Sequence, residues 1–321
     1  AGVVEEAIED AVEVLQDMAG DVEEEIVKTP TSFDRSVEPV PGPDPAVVPP
    51  EVWSDQLSNG IKIYGIAYDE LPLINYSIVI RGGHLLDRPG LSGTASLVAS
   101  LLTEGTAGKT PEELEEAIEL LGANISVSAG QQTITVSVNT LVRNFESTVA
   151  VVEESLFEPR WDQELLELAK CRMINTHKRN MANPSMLASN TMNRLLFGEG
   201  HLLAIPVDGT ISSVEAITMD DLIAYYEANL SPSLASLHVV GNVSAPRVKE
   251  ALAGIAERWE PVEVKIPEIE IPANPEQSSI HFVDVPGAKQ SVIRIGNLAL
   301  TRTHPDYDAV NVMNYKLGGG F

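Results

Sequence analysis

Six histidines, one cysteine, two glycine runs and a few clustered acids are the residues of this sequence whose types could do chemistry. His84, His177, His201, His238, His281 and His304 are scattered along the chain. No two of them stand four apart with an acid between, the helical spacing that aims two imidazoles and a base at one zinc ion. His84, after its glycine pair, is read as a lone surface histidine rather than a ligand, and His201, in a loop, as structural. Cys171 is the sole cysteine, so no internal disulfide can form, and its place within a predicted helix reads as a buried, inert thiol. Gly82-Gly83 and Gly318-Gly319-Gly320 lack the Lys-Ser/Thr that follows a phosphate loop, and turn or close-packing roles suit them better. Glu23-Glu24-Glu25 reads as a solvated helix face. Ser96 has no His-Asp constellation in view.

These residues must be positioned by elements, and the stretch Leu91–Thr106, LSGTASLVASLLTEGT, stands at the centre of them. It follows the apolar run Ile74–Ile80 and the break Arg81-Gly82-Gly83. Leu91, Ala95, Val98, Leu101 and Leu102 recur at helical spacing, so one stripe faces a core, and Gly105 stops the helix. Thr110-Pro111-Glu112-Glu113 starts the next helix with a capping residue, a proline at its first position and acids in its first turn. Asn124–Ala129 and Gln132–Val138 alternate around Gly130-Gln131 as a hairpin with one buried face. Phe145–Leu156, Gln163–Met181 and Pro184–Phe197 read as three helices punctuated by Pro159 and Pro184. Met219–Asn229 is a helix capped by Thr218, Leu234–Val240 a strand, and residues 246–257 are helical. At the start, residues 3–18 form an amphipathic helix and Thr29–Glu51 an extended, proline-rich linker. At the end, Ile280–Val283 and Ser291–Ile295 read as strands and Asp306–Leu317 as a helix. Ser77–Gly82 and Ser291–Gly296 resemble each other weakly, each a strand feeding a helix.

Several of these motifs, in this order, resemble the M16 zinc metallopeptidases (insulinase, pitrilysin and mitochondrial-processing-peptidase type). They are the G-L-S-G entry and G-T exit of the central helix, and G-A-x-I at Gly122–Ile125 followed by two strands. Further on stand Phe197-Gly198, His201, Pro206, Gly209-Thr210 and Asp221-Leu222, then Val240-Gly241-Asn242 and Leu317–Phe321. In the catalytic members the central helix carries His-x-x-Glu-His, two imidazoles for zinc and a glutamate that polarises the metal-bound water. The matching positions here are Ser96, Ala99 and Ser100, and the region of the third ligand, a glutamate in those members, falls at Asn175 or Thr176. Neutral hydroxyls are poor zinc ligands and alanine is no base.

The resemblance therefore implies an α/β (α+β) fold of duplicated domains, each a mostly antiparallel sheet with helices packed on it. It implies the non-catalytic half of a zinc peptidase, with no catalytic or metal residue of its own. This half closes a chamber over peptide or unfolded protein, while zinc comes from a catalytic half in the same chain or a separate subunit. The substrate-contacting Arg and Tyr of the family follow the position of Phe321. The expected organisation is residues 1–28 as the end of an upstream domain and 29–52 as linker. Residues 53–260 follow as a first domain without the zinc motif, 261–277 as connector and 278–321 as the start of a second domain. A non-enzymatic scaffold subunit is the alternative. Relatives of the bacterial type suggest an exported or periplasmic setting.

Composition bounds what else the chain can do. With 321 residues, 44% of them hydrophobic, it is long enough for about two domains. Its formal charge, 21 − 47 = −26, argues against nucleic acid, whose phosphates need cations. No run reaches the roughly 18–20 apolar residues of a transmembrane helix, and no basic start precedes an apolar signal core.

Overall fold

Alternation in the strands and a 3.6-residue period in the helices meet on one face of one sheet. The computed structural model describes residues 34, 36–38, 40, 42, 43, 46 and 48–319. The amphipathic stretch 3–18, the triplet Glu23-Glu24-Glu25 and Phe321 lie outside the described residues. The chain divides into units 1–49 and 50–321, and every strand and helix that follows belongs to the second.

Six strands, β1 (Val52–Gln56), β2 (Lys62–Ala67), β3 (Leu73–Arg81), β4 (Asn124–Ala129), β5 (Thr133–Leu141) and β6 (Ala235–Gly241), line up in the order β1-β2-β6-β3-β5-β4. All neighbours are antiparallel except β2 and β6. Ile74, Tyr76, Ile78 and Ile80 alternate along β3 and point to the buried face, and Ile78 lies opposite Val136 of β5 and Leu237 of β6. The strands between buried neighbours are thus fixed in register, because a one-residue slip would turn four β3 side chains out to water.

Helices α1 (Thr94–Leu101), α2 (Pro111–Leu120), α3 (Phe145–Phe157), α4 (Gln163–Asn180), α5 (Pro184–Phe197), α6 (Ile211–Ala216) and α7 (Met219–Asn229) follow in chain order. After β6 come α8 (Ala245–Ala251), α9 (Ala253–Arg258) and α10 (Tyr307–Asn314). Leu97, Val98 and Leu101 of α1, Phe145 and Val152 of α3, Leu166 of α4 and Leu222 of α7 fill the core against the sheet. The caps form as the sequence requires. Glu113 N–H donates to Thr110 Oγ1 and Thr110 N–H to the Glu113 carboxylate, with Pro111 at the first helical position. Thr218 and Asp221 repeat this reciprocal pattern on α7, each satisfying donors the helix itself cannot.

Four expectations are corrected. The central helix is shorter than Leu91–Thr106: it begins after Gly93, which holds a left-handed φ of 103°, and gives way after Leu101 to a turn that ends at Gly105. The helical stretch 246–257 breaks at Leu252 into α8 and α9. Residues 280–283 and 291–295 form no strand. They pair neither with each other nor with the sheet among the described residues, and without a ladder partner their backbone groups have no reason to extend in register. Ile280 and Phe282 are 100% and 88% exposed as a result. Finally, Cys171 is exposed rather than buried, because α4 packs through Leu166, Ala169 and Lys170 and turns the following residue outward. Native chain is therefore expected to release one equivalent of thionitrobenzoate from Ellman's reagent within minutes. A thiol that reacts only after addition of denaturant would contradict this placement.

Candidate functional site

The start of α1 is fixed from two sides. His84 is buried and not, as its place after a glycine pair suggests, at the surface, because it packs on the equally buried Asp87 carboxylate. Asp87 accepts Gly93 N–H (2.8 Å) and His84 Nδ1–H (2.8 Å) on one carboxylate oxygen and Ala95 N–H (2.9 Å) on the other. On the other side α6 and the loop before it press against the same turn. Ser213 Oγ donates to Ser92 O (2.7 Å), and Gly209, at φ 72°, approaches so closely that a Cβ there would lie 2.0 Å from that carbonyl. Only glycine combines that backbone conformation with that contact.

So oriented, α1 presents Ser96, Ala99 and Ser100 to a cleft of about 410 Å³. Helical spacing explains the convergence, since residues three and four apart share a face. Arg172, Thr176 and His177 of α4 form the opposite wall, and Val127, Ser128 and Ala129 of β4 the third side. Thr176 thus joins Ser96, Ala99 and Ser100. Asn175 does not; it is exposed with its amide 3.7 Å from Cys171 Sγ.

The donor set does not suit zinc. Ser96 Oγ donates to Asp208 Oδ1 (2.9 Å), Thr176 Oγ1 donates to Arg172 O (3.0 Å), and Ala99 offers no polar atom. Among the described residues no three His, Cys, Asp or Glu side chains gather as a metal cluster. Nor is the set a nucleophilic triad. The Asp208 carboxylate takes Ser96 directly, while His177 Nε2–H donates to the Asp208 main-chain oxygen (3.0 Å), so no imidazole stands between hydroxyl and acid. Arg172 at the rim pairs with Glu104 (2.6 Å). What remains is a polar cleft beside an edge strand, lined by hydroxyls, His177 and the Asp208 carboxylate, with no metal cluster among the described residues.

Asp208, His177 and Arg172 have no sequence signal as a group. Ser96 and Asp208 are 112 residues apart, and only the family-like run up to Gly209-Thr210 marks the segment.

A mixed α/β unit with a six-stranded, mostly antiparallel sheet and a central helix facing a polar cleft is the architecture of an M16 domain. The family model described as insulinase (peptidase family M16) matches residues 72–199, and that described as the peptidase M16 inactive domain matches 216–321. The chain belongs to the M16 peptidase family. It is 20% identical over 268 residues to an uncharacterized zinc protease of Streptomyces coelicolor, covering 82% of this chain and 58% of that protein. It is 25% identical over 160 residues to a non-peptidase homolog of Helicobacter pylori, covering 49% and 37%. Among solved structures, the peptidase M16 inactive domain from Pseudomonas fluorescens superposes with a TM-score of 0.73 at 25% identity, covering 84% of this chain and 65% of that one. The chain thus spans about half the length of the curated relatives it matches.

Proposed function

We propose that this chain is the non-catalytic, peptide-holding part of an M16 zinc peptidase. One observation carries the reading: the positions that bear metal ligands and base in catalytic relatives share a cleft here, yet bear only hydroxyls and a methyl. In place of the chemistry stands a polar recess open along β4. Among the described residues that strand pairs only with β5, so its outer side offers main-chain donors and acceptors to an extended peptide. Zinc and base come from a catalytic half, in the same polypeptide or a separate subunit, and residues 278–321 begin the second domain of this half. The negative charge of the whole chain keeps nucleic acid away, and an exported setting suits bacterial relatives of this type. The name of the Streptomyces relative supports a peptidase context.

The test reconstitutes the chain with an M16 subunit that carries an intact His-x-x-Glu-His and follows a quenched fluorogenic peptide. The chain alone cleaves nothing with or without zinc, whereas its addition raises the kcat/KM of the catalytic subunit by about tenfold or more, the scale of a gained binding surface. Zinc-dependent cleavage by the chain alone would sink the proposal. The name of the Helicobacter relative favours the second reading, a non-enzymatic scaffold. Under that reading the chain joins an assembly whose peptide cleavage does not change on its removal.

A further inference from the structure

We propose that Asp208 makes this cleft selective for a peptide carrying a lysine or arginine side chain, inserted beside Ala99 while the peptide backbone runs along β4. The inference rests on the peptide-holding reading above and names the side chain it favours.

Three observations converge. First, Val127, Ser128 and Ala129, consecutive residues of the edge strand, line the cleft themselves. A peptide added to that edge therefore sends alternate side chains toward α1. Second, the floor under that point is small: Ala99 and Ala169 leave room where larger residues would fill the recess. Third, the charges do not balance. The Arg172 guanidinium is matched by Glu104 at 2.6 Å. The Asp208 carboxylate has no Lys, Arg or His nitrogen within 4 Å among the described residues.

Asp208 is exposed, yet it is held. Its main-chain oxygen accepts His177 Nε2–H at 3.0 Å, its Oδ1 accepts Ser96 Oγ–H at 2.9 Å, and its neighbour Gly209 is wedged against Ser92. The second oxygen, Oδ2, carries no hydrogen bond among those of the described residues. A fixed carboxylate with one unused oxygen at the wall of a recess can take an ammonium or guanidinium without ordering anything first.

Fluorescence anisotropy with labelled, uncharged Ser/Val/Thr peptides tests this. The peptides differ at one central position, which is Lys, Arg, Met or Glu, and Met matches Lys in length without the charge. The full chain is expected to bind the Lys and Arg peptides about tenfold more tightly than the Met peptide at low salt, the scale of one partly screened charge pair. Asp208→Asn, which keeps an acceptor for Ser96, removes the preference. Ser100→Lys, which places a cation inside the cleft, removes it by a second route. Glu250→Gln alters net charge equally on α8, beside the Lys249–Asp55 pair at the β1 edge, and retains the preference. Equal affinity for Lys and Met peptides, or a preference that survives Asp208→Asn, overturns this inference and leaves peptide holding intact. Failure of every peptide to bind overturns both.

Discussion

Replacing Ser96 by His, Ala99 by Glu, Ser100 by His and Thr176 by Glu in one chain is expected to create a zinc site in a cleft where the described residues of the parent gather no metal cluster. The quadruple variant should retain about one zinc per chain through dialysis, at an affinity on the order of a thousandfold above the parent, as expected when hydroxyls give way to two imidazoles and a carboxylate. The expectation follows from geometry already present. Ser96 and Ser100 are one helical turn apart on α1, and Thr176 faces them across the same cleft. Its discriminating control is Asn175→Glu in place of Thr176→Glu. Asn175 is exposed beside Cys171, so that carboxylate cannot reach the metal, and zinc retention should fall back toward the parent. Metal analysis by mass spectrometry, with circular dichroism to confirm folding, reads both. If the variant with Glu at 175 outperformed the one with Glu at 176, α4 would have to be rotated so that Asn175, not Thr176, faces α1.

That residue-level distinction is also where sequence reasoning stops. The resemblance to catalytic relatives places the third-ligand region at Asn175 or Thr176, both on one predicted helix. Choosing between them needs the rotation of α4 against α1, which only packing sets. Local rules do better where the physics is local. Thr110-Pro111 and Thr218 cap their helices because the capping groups are within three residues of the donors they satisfy. The hairpin of β4 and β5 follows from alternation around a tight turn. Non-local facts leave no such trace. The insertion of β6 between β2 and β3, parallel to β2, depends on a return of the chain after α1 to α7 have intervened. The exposure of Cys171 depends on which side of α4 the sheet takes. The strands expected at 280–283 and 291–295 rest on β-branched composition and a weak likeness to the β3 segment, and neither supplies the partner that a strand requires. The contact of Asp208 with Ser96 joins residues that only the folded chain makes neighbours.

Asp87→Ala is expected to be the most destabilising change in the vicinity of the cleft, at about 3–5 kcal/mol, because it strands several buried donors at once. Gly93 N–H, Ala95 N–H and His84 Nδ1–H all end on this carboxylate. His84 is itself fully buried, and its Nε2 already lacks a partner among the described residues. The environment offers no substitute. Tyr225 lies close enough that burial, followed by the Asp87 charge, pushes its phenol well above the usual range, and its hydroxyl is spent on Gly83 O at 2.7 Å. For a unit of this size the loss corresponds to a fall in Tm of about 10 °C. Asp87→Asn should lie between the parent and Asp87→Ala, since one amide oxygen can still accept while the amide nitrogen faces a donor. Asp208→Asn, exposed and isosteric, should move the melting point little, which separates the group that builds the cleft from the group proposed to read its ligand. The carboxylate of Asp87 fixes the first turn of α1, and that turn fixes where Ser96, Ala99 and Ser100 point. Loosening it should therefore also blunt zinc retention in the quadruple variant, measured below the melting point of the combined protein. If Asp87→Ala melts within about 1 °C of the parent, the cleft is shaped by the apolar packing of Leu97, Val98 and Leu101 alone, and the polar anchor is dispensable.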